Sequence, residues 1–241
     1  FFAYRGYRMN YYAVTAMLAR VYCWAGEYGN AYKEAKEVVD ATYSTGSTST
    51  ASCFNFSNSL TTNRKDYNSI IMTFFKSTCY EDYLPYMTKG NDVVLVVNTT
   101  NLFGDEAGAD DRNLDLFGDW DGGDIKYSFK YDIKEGTSGT DMIPAIRLSE
   151  MYYIMGEYFA YKDEFSKAGE MLDKVRYARG ISTTNLASSI GSLEVFHTHL
   201  IKEMRREFVG EGQMFFQYKR LDQKPKDNVV FVFDKPNNED I

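Results

Sequence analysis

Trp120 stands between two carboxylates, Asp119 and Asp121, and is followed by Gly122 and Gly123. A large ring in such a segment is poorly placed for a core. Rings on loops, flanked by carboxylates and amides, suit saccharide recognition: the apolar ring face covers a pyranose while polar neighbours bond its hydroxyls. The competing reading packs the Trp120 ring against a structural frame. Tyr80, Tyr83 and Tyr86 form a second group around Glu81, Asp82 and Pro85, read as a loop cluster, and the same two readings apply. Trp120, Tyr80, Tyr83, Tyr86, Asp119 and Asp121 are therefore the candidate ligand-binding residues.

Patterns for catalysis are missing. The sequence contains no H-E-x-x-H, no G-x-S-x-G and no phosphate-cradling G-x-x-x-x-G-K. His197 and His199 lie two apart on an expected helix, roughly 200° around it, so they do not share one metal ion. The acidic stretch from Gly104 to Asp124 carries hard oxygen donors at alternating positions, as calcium loops do, but lacks the downstream Glu; it reads as a solvated loop. Glu203, Arg205, Arg206 and Glu207 read as ion pairs fixing one helix to its neighbours, of modest energy if exposed. Cys23, Cys53 and Cys79 show no C-x-x-C spacing and read as small buried hydrophobes, although one bridge and one free thiol also fit. The residues point to no cofactor and no bound metal, and a hydrolase, which would need two exposed carboxylates about 5 to 9 Å apart across a cleft, is neither shown nor excluded by the sequence.

Composition narrows the partners. With 27 Lys plus Arg against 34 Asp plus Glu, the net charge of -7 speaks against nucleic acid, whose backbone calls for a basic face. Apolar stretches such as Val93 to Val97 are far shorter than a membrane span. Tyrosine (20) and phenylalanine (17) are abundant among 241 residues, so rings either fill a helical core or face a ligand.

The elements that must position these rings follow from periodicity. Residues 9–25 place Ala13, Ala16 and Ala19 on a small-residue stripe beside Met17, Val21 and Trp24, with Trp24 read as core. A short turn follows, with Asn30 as the expected cap of a second helix carrying Ala31, Ala35, Val38 and Val39. The pattern recurs in 145–161 and 165–179, where Gly180 stops the helix. Two related hairpins, about 9–43 and 145–180, suggest tetratricopeptide-like units, which stack because neither buries its apolar face alone. A further helix spans about 193–209, with a short one at 213–220. Between the hairpins lies an inserted region, about 44–141. It opens with a Ser, Thr and Asn-rich loop (44–64) and holds strand-like runs at Ile70 to Phe75, Val93 to Val97 and Ile125 to Tyr131. The fold class is mostly α, helical hairpins with an inserted strand-and-loop region.

These segments resemble a known family. LIKEMRREFVGEGQMFFQYKRL (200–221) is similar to the ERRREF-x-x-EG-x-R-x-F-D-L-x-R signature near the C-terminus of the SusD/RagB family, surface glycan-binding lipoproteins of Bacteroidetes. RMNYYAVTAMLARVYCWAGEY (8–28) and RLSEMYYIMGEYFAYKDEFSKAGEMLDKVRYARG (147–180) resemble two of its helical segments. Asp110-Asp111-Arg112 matches a D-x-R element, and Lys235 to Glu239 resembles the closing P-x-x-E-I. QMFFQ at 213–217 departs from the usual Arg and Asp, and Gly156 replaces an Ala. The resemblance implies a SusD-like α/α superhelix, with this chain as the C-terminal portion of a longer protein, residues 1–241 forming one SusD/RagB-like region. It implies non-catalytic glycan binding, peptides in some lineages, and delivery to a SusC-like TonB-dependent transporter. The place implied is the cell-surface side of the outer membrane, reached through an N-terminal lipid not in this chain. The alternative is a tetratricopeptide scaffold holding a partner protein or peptide.

Overall fold

The Asn10 side chain accepts a hydrogen bond from the Ala13 amide at 3.0 Å and so caps α1 (Tyr11–Trp24). The computed structural model describes residues 9–46, 49–87, 95–119, 125–132, 142–221 and 232–233. Ala13, Ala16 and Ala19 are fully buried, as the small-residue stripe predicts. Gly26 turns the chain with φ +77, and α2 (Tyr28–Val39) returns with Ala31, Ala35 and Val38 inward. Asn30 is not the cap. The helix begins two residues earlier, and the Asn30 amide instead donates to the Glu27 carboxylate at 2.7 Å. Trp24 is not core either: its ring is 43% exposed and lies tilted against Phe216.

The described residues of the inserted region form more helix and strand than its composition suggests. A short hairpin, β1 (Thr42–Ser44) and β2 (Thr50–Ser52), opens the segment expected to be loop. The loop then turns inward, burying Leu60, Lys65 and Asp66. Next come β3 (Ile70–Phe75) and α3 (Cys79–Met87). A four-stranded sheet follows in the order β5 (Phe117–Asp119), β6 (Ile125–Ser128), β4 (Leu95–Asn98), β8 (Val232–Phe233), with α4 (Thr99–Phe103) and α5 (Asp111–Leu116) between β4 and β5 in sequence. The third expected strand stops at Ser128 because Lys130 turns inward, where its ammonium donates to the Glu207 carbonyl at 2.8 Å.

The helix expected from residue 145 starts at 148. Residues 142–147 form β7 (Met142–Arg147), antiparallel to β3, and their alternating burial marks a strand with one face on the core. The second hairpin is α6 (Leu148–Ala160) and α7 (Phe165–Ala178), ended by Gly180 at φ +85. α2 packs on α6, so the two hairpins stack. Tyr28 lies on Tyr161 at 3.9 Å between centroids and Tyr32 on Tyr158 at 4.4 Å, filling the seam with paired rings. Ser192 caps α8 (Leu193–Glu207), which buries Phe196, Leu200 and Met204 near α7, and α9 (Met214–Arg220) follows. The protein is mostly helical, with its strands in or next to the inserted region apart from β8. No helix among the described residues is long and apolar enough to cross a membrane.

Candidate functional site

The groups that look most reactive in sequence are tied to one another. Glu203, Arg206 and Glu207 face inward from α8 rather than toward solvent. Arg112 donates to Asp110 at 2.7 and 2.9 Å, to Glu203 at 3.0 Å and to Glu207 at 3.2 Å. Arg179 holds Glu207 at 2.5 Å and Asp66 at 2.7 Å. Arg206 reaches Glu106 at 2.7 Å and Glu203 at 2.9 Å. The acidic stretch is therefore not simply a solvated loop: Glu106 and Asp110 supply carboxylates to buried guanidinium groups, whose desolvation demands counter-charge.

Burial by itself would raise the Glu207 carboxyl. The Arg179 and Arg112 guanidiniums outweigh it and hold the group well below the usual carboxylate range. Burial also works upward on Glu106, but Arg206 and Arg176 bring it down to about 2. Both stay ionised, the opposite of what a general acid requires. His197 and His199 are half-buried, and burial pushes both imidazoles toward the neutral form. The three cysteines are free thiols, and burial pushes the Cys23 thiol up, away from the reactive thiolate.

The predicted ligand residues fall in three places. Trp120 and Asp121 lie outside the described residues. Asp119 ends β5 with its side chain 70% exposed, 3.7 Å from the Lys126 ammonium. Tyr80, Tyr83 and Tyr86 do not form a loop, because they belong to α3. Glu81 and Asp82 occupy its first turn, where negative charge suits the helix dipole, and Thr78 bonds Asp82 at 3.0 Å; this outweighs the backbone donor lost at Pro85. Tyr83 stacks on buried Tyr131 at 4.2 Å and 9° between planes, a structural contact, whereas Tyr86 is exposed.

A basin of ≈ 720 Å³ opens elsewhere, where the start of α1 meets the β1–β2 hairpin and the turn before β3. Tyr12, Phe54, Ile71, Thr73 and Met142 line its depth, and Tyr11, Tyr43 and Tyr67 stand exposed around it. Asn10, Asn55 and Asn68 bring amides to the same space. Sequence reasoning passed over it. Tyr43 and Tyr67 lie 24 positions apart, and the stretch between them reads as plain loop; the available signal was an aromatic residue next to each end of that polar segment.

The sequence model of the SusD family matches residues 19–232. A SusD superfamily protein from Bacteroides thetaiotaomicron superposes with a TM-score of 0.66 at 22% identity, over 92% of this chain and 52% of that one. A SusD-like carbohydrate binding protein from Bacteroides vulgatus gives 0.62 at 21% identity, over 90% and 46%. A laminarin binding SusD-like protein gives 0.60 at 17%, over 91% and 56%. The chain thus spans about half the length of these solved structures. The comparison with curated proteins gives no match.

Proposed function

Because the chain belongs to the SusD family, we propose that it takes part in glycan binding at the outer face of the outer membrane, attached there by a lipid. It hands the bound saccharide to a SusC-like TonB-dependent transporter without altering it. The observation that carries this reading is the family match across 19–232, joined by relatives whose names record carbohydrate and laminarin binding.

Two structural features support it. The most acidic constellation is spent on buried ion pairs, with Glu106 and Glu207 held ionised rather than poised to give up protons. The seam between the helical hairpins, where a scaffold would hold a peptide, is filled by the Tyr28–Tyr161 and Tyr32–Tyr158 stacks, while further tyrosines stand exposed around a basin whose described lining residues carry no charge. The test is capture of the full-length protein on immobilised polysaccharides, with affinity pull-down from solubilised outer membranes. Retention on glycan together with a co-purifying TonB-dependent transporter is expected. Retention on peptides alone would favour the scaffold reading.

A further inference from the structure

The basin at the head of α1 has a lining that departs from the composition of the chain. A quarter of all residues are charged, yet the described residues lining this space include no Asp, Glu, Lys or Arg. Rings and amides take their place. Tyr11, Tyr43 and Tyr67 are 65%, 40% and 37% exposed, while Ile71 and Met142 close the floor. Its ≈ 720 Å³ falls within the size range of small-ligand pockets.

The walls are tied together before any ligand arrives. Asp66 adopts a left-handed backbone, φ +50, which its buried carboxylate sustains by accepting from Arg179 at 2.7 Å and the Ser57 amide at 2.9 Å. That turn sets Tyr67, whose amide donates to Asn63 Oδ1 at 2.9 Å. The Asn55 amide donates to the Asn68 carbonyl at 3.1 Å, and the Cys53 amide to the Ala41 carbonyl at 2.8 Å, joining the hairpin side to the turn and to the end of α2. Rings held in this way lose little freedom on binding.

Resting on the glycan-binding reading, we infer that this basin is a binding site for a neutral oligosaccharide. The exposed tyrosine faces cover sugar C–H surfaces, and the Asn68 side-chain amide, the Asn55 side-chain oxygen, whose Nδ2 donates to the Ser52 carbonyl at 3.2 Å, and the Tyr67 hydroxyl exchange hydrogen bonds with sugar hydroxyls. The described lining favours a ligand without negative charge: a uronate or a sulfate entering here would shed water without meeting a counter-charge from those residues, and the Glu37 carboxylate that accepts from the Tyr11 hydroxyl would repel it.

The experiment uses the full-length protein in affinity electrophoresis and calorimetry, with laminarin, inulin and xyloglucan as neutral probes and polygalacturonate and chondroitin sulfate as charged ones. Binding of at least one neutral glycan is expected. Tyr43→Ala and Tyr67→Ala should each weaken it about tenfold with thermal midpoints unchanged, and Tyr67→Phe should lose only part of that, separating ring from hydroxyl. Unchanged affinity in both alanine variants, or loss confined to Trp120→Ala, overturns the basin and leaves glycan binding standing. Exclusive binding of the charged probes overturns its neutrality. A full-length protein that retains none of the probes or any wider glycan panel overturns the glycan reading itself.

Discussion

Glu207 accepts hydrogen bonds from two fully buried arginines, Arg179 and Arg112. Glu207→Gln keeps the shape and removes the charge, leaving two guanidinium groups short of counter-charge in a dry site. The expected cost is about 3 kcal/mol, read as a lower midpoint in urea unfolding. Tyr83 belongs to the same structural class. Its parallel stack on Tyr131 predicts that Tyr83→Ala lowers stability by about 1 to 2 kcal/mol while leaving glycan affinity intact, checked by thermal melts alongside titration. At this scale the sequence was only partly legible. Side-chain type showed that Glu203, Arg206 and Glu207 would pair, but the partners at positions 66, 106, 110, 112 and 179 come from distant segments, so the burial of the network could not be read from local spacing. The basin was hidden for the same reason, since its rings come from four separate stretches of chain.

Helices were legible wherever apolar residues recur every three or four positions. The start of α1, the span of α7 and the start of α8 agree with their patterns because each has a clear stripe and a cap or a stop. Strand β7 was absorbed into the following helix because Ala145 and Ile146 continue an apolar run that fits either period, and only its pairing with β3 decides. α3 is hidden in the sequence because Pro85 sits inside it, a residue that ordinarily breaks a helix interior. One packing detail belongs to this scale. Gly169 of α7 passes so close to the turn at Leu186 to Ser188 that an added Cβ would sit 2.6 Å from Ala187 Cα. Gly169→Ala should push that turn away and destabilise the protein by about 1 to 3 kcal/mol, seen as a lower thermal midpoint.

Across the whole molecule the ionic network ties the inserted region to the helical frame. Asp66, Glu106 and Asp110 come from the insertion, while Arg179, Glu203, Arg206 and Glu207 follow α7 or lie on α8. Asp66, Glu106 and Glu207 have folded-state pKa values below their ordinary ones, Glu106 falling from 4.5 to about 2. Groups lowered in this way stabilise the fold fully above the unfolded value and lose that contribution as pH falls through the folded one. Stability should therefore hold above about pH 5 and decline progressively from about pH 4.5 toward pH 2, measured by urea midpoints at fixed ionic strength. The same network sets the Asp66 turn and with it Tyr67, so a protein weakened in acid should also loosen the basin. The most direct test of the account is calorimetric titration of the full-length protein with neutral polysaccharides, followed by sizing of the recovered glycan. Saturable binding with the glycan returned at its original length is the predicted result; no binding of any glycan, or recovery of shortened chains, would contradict it.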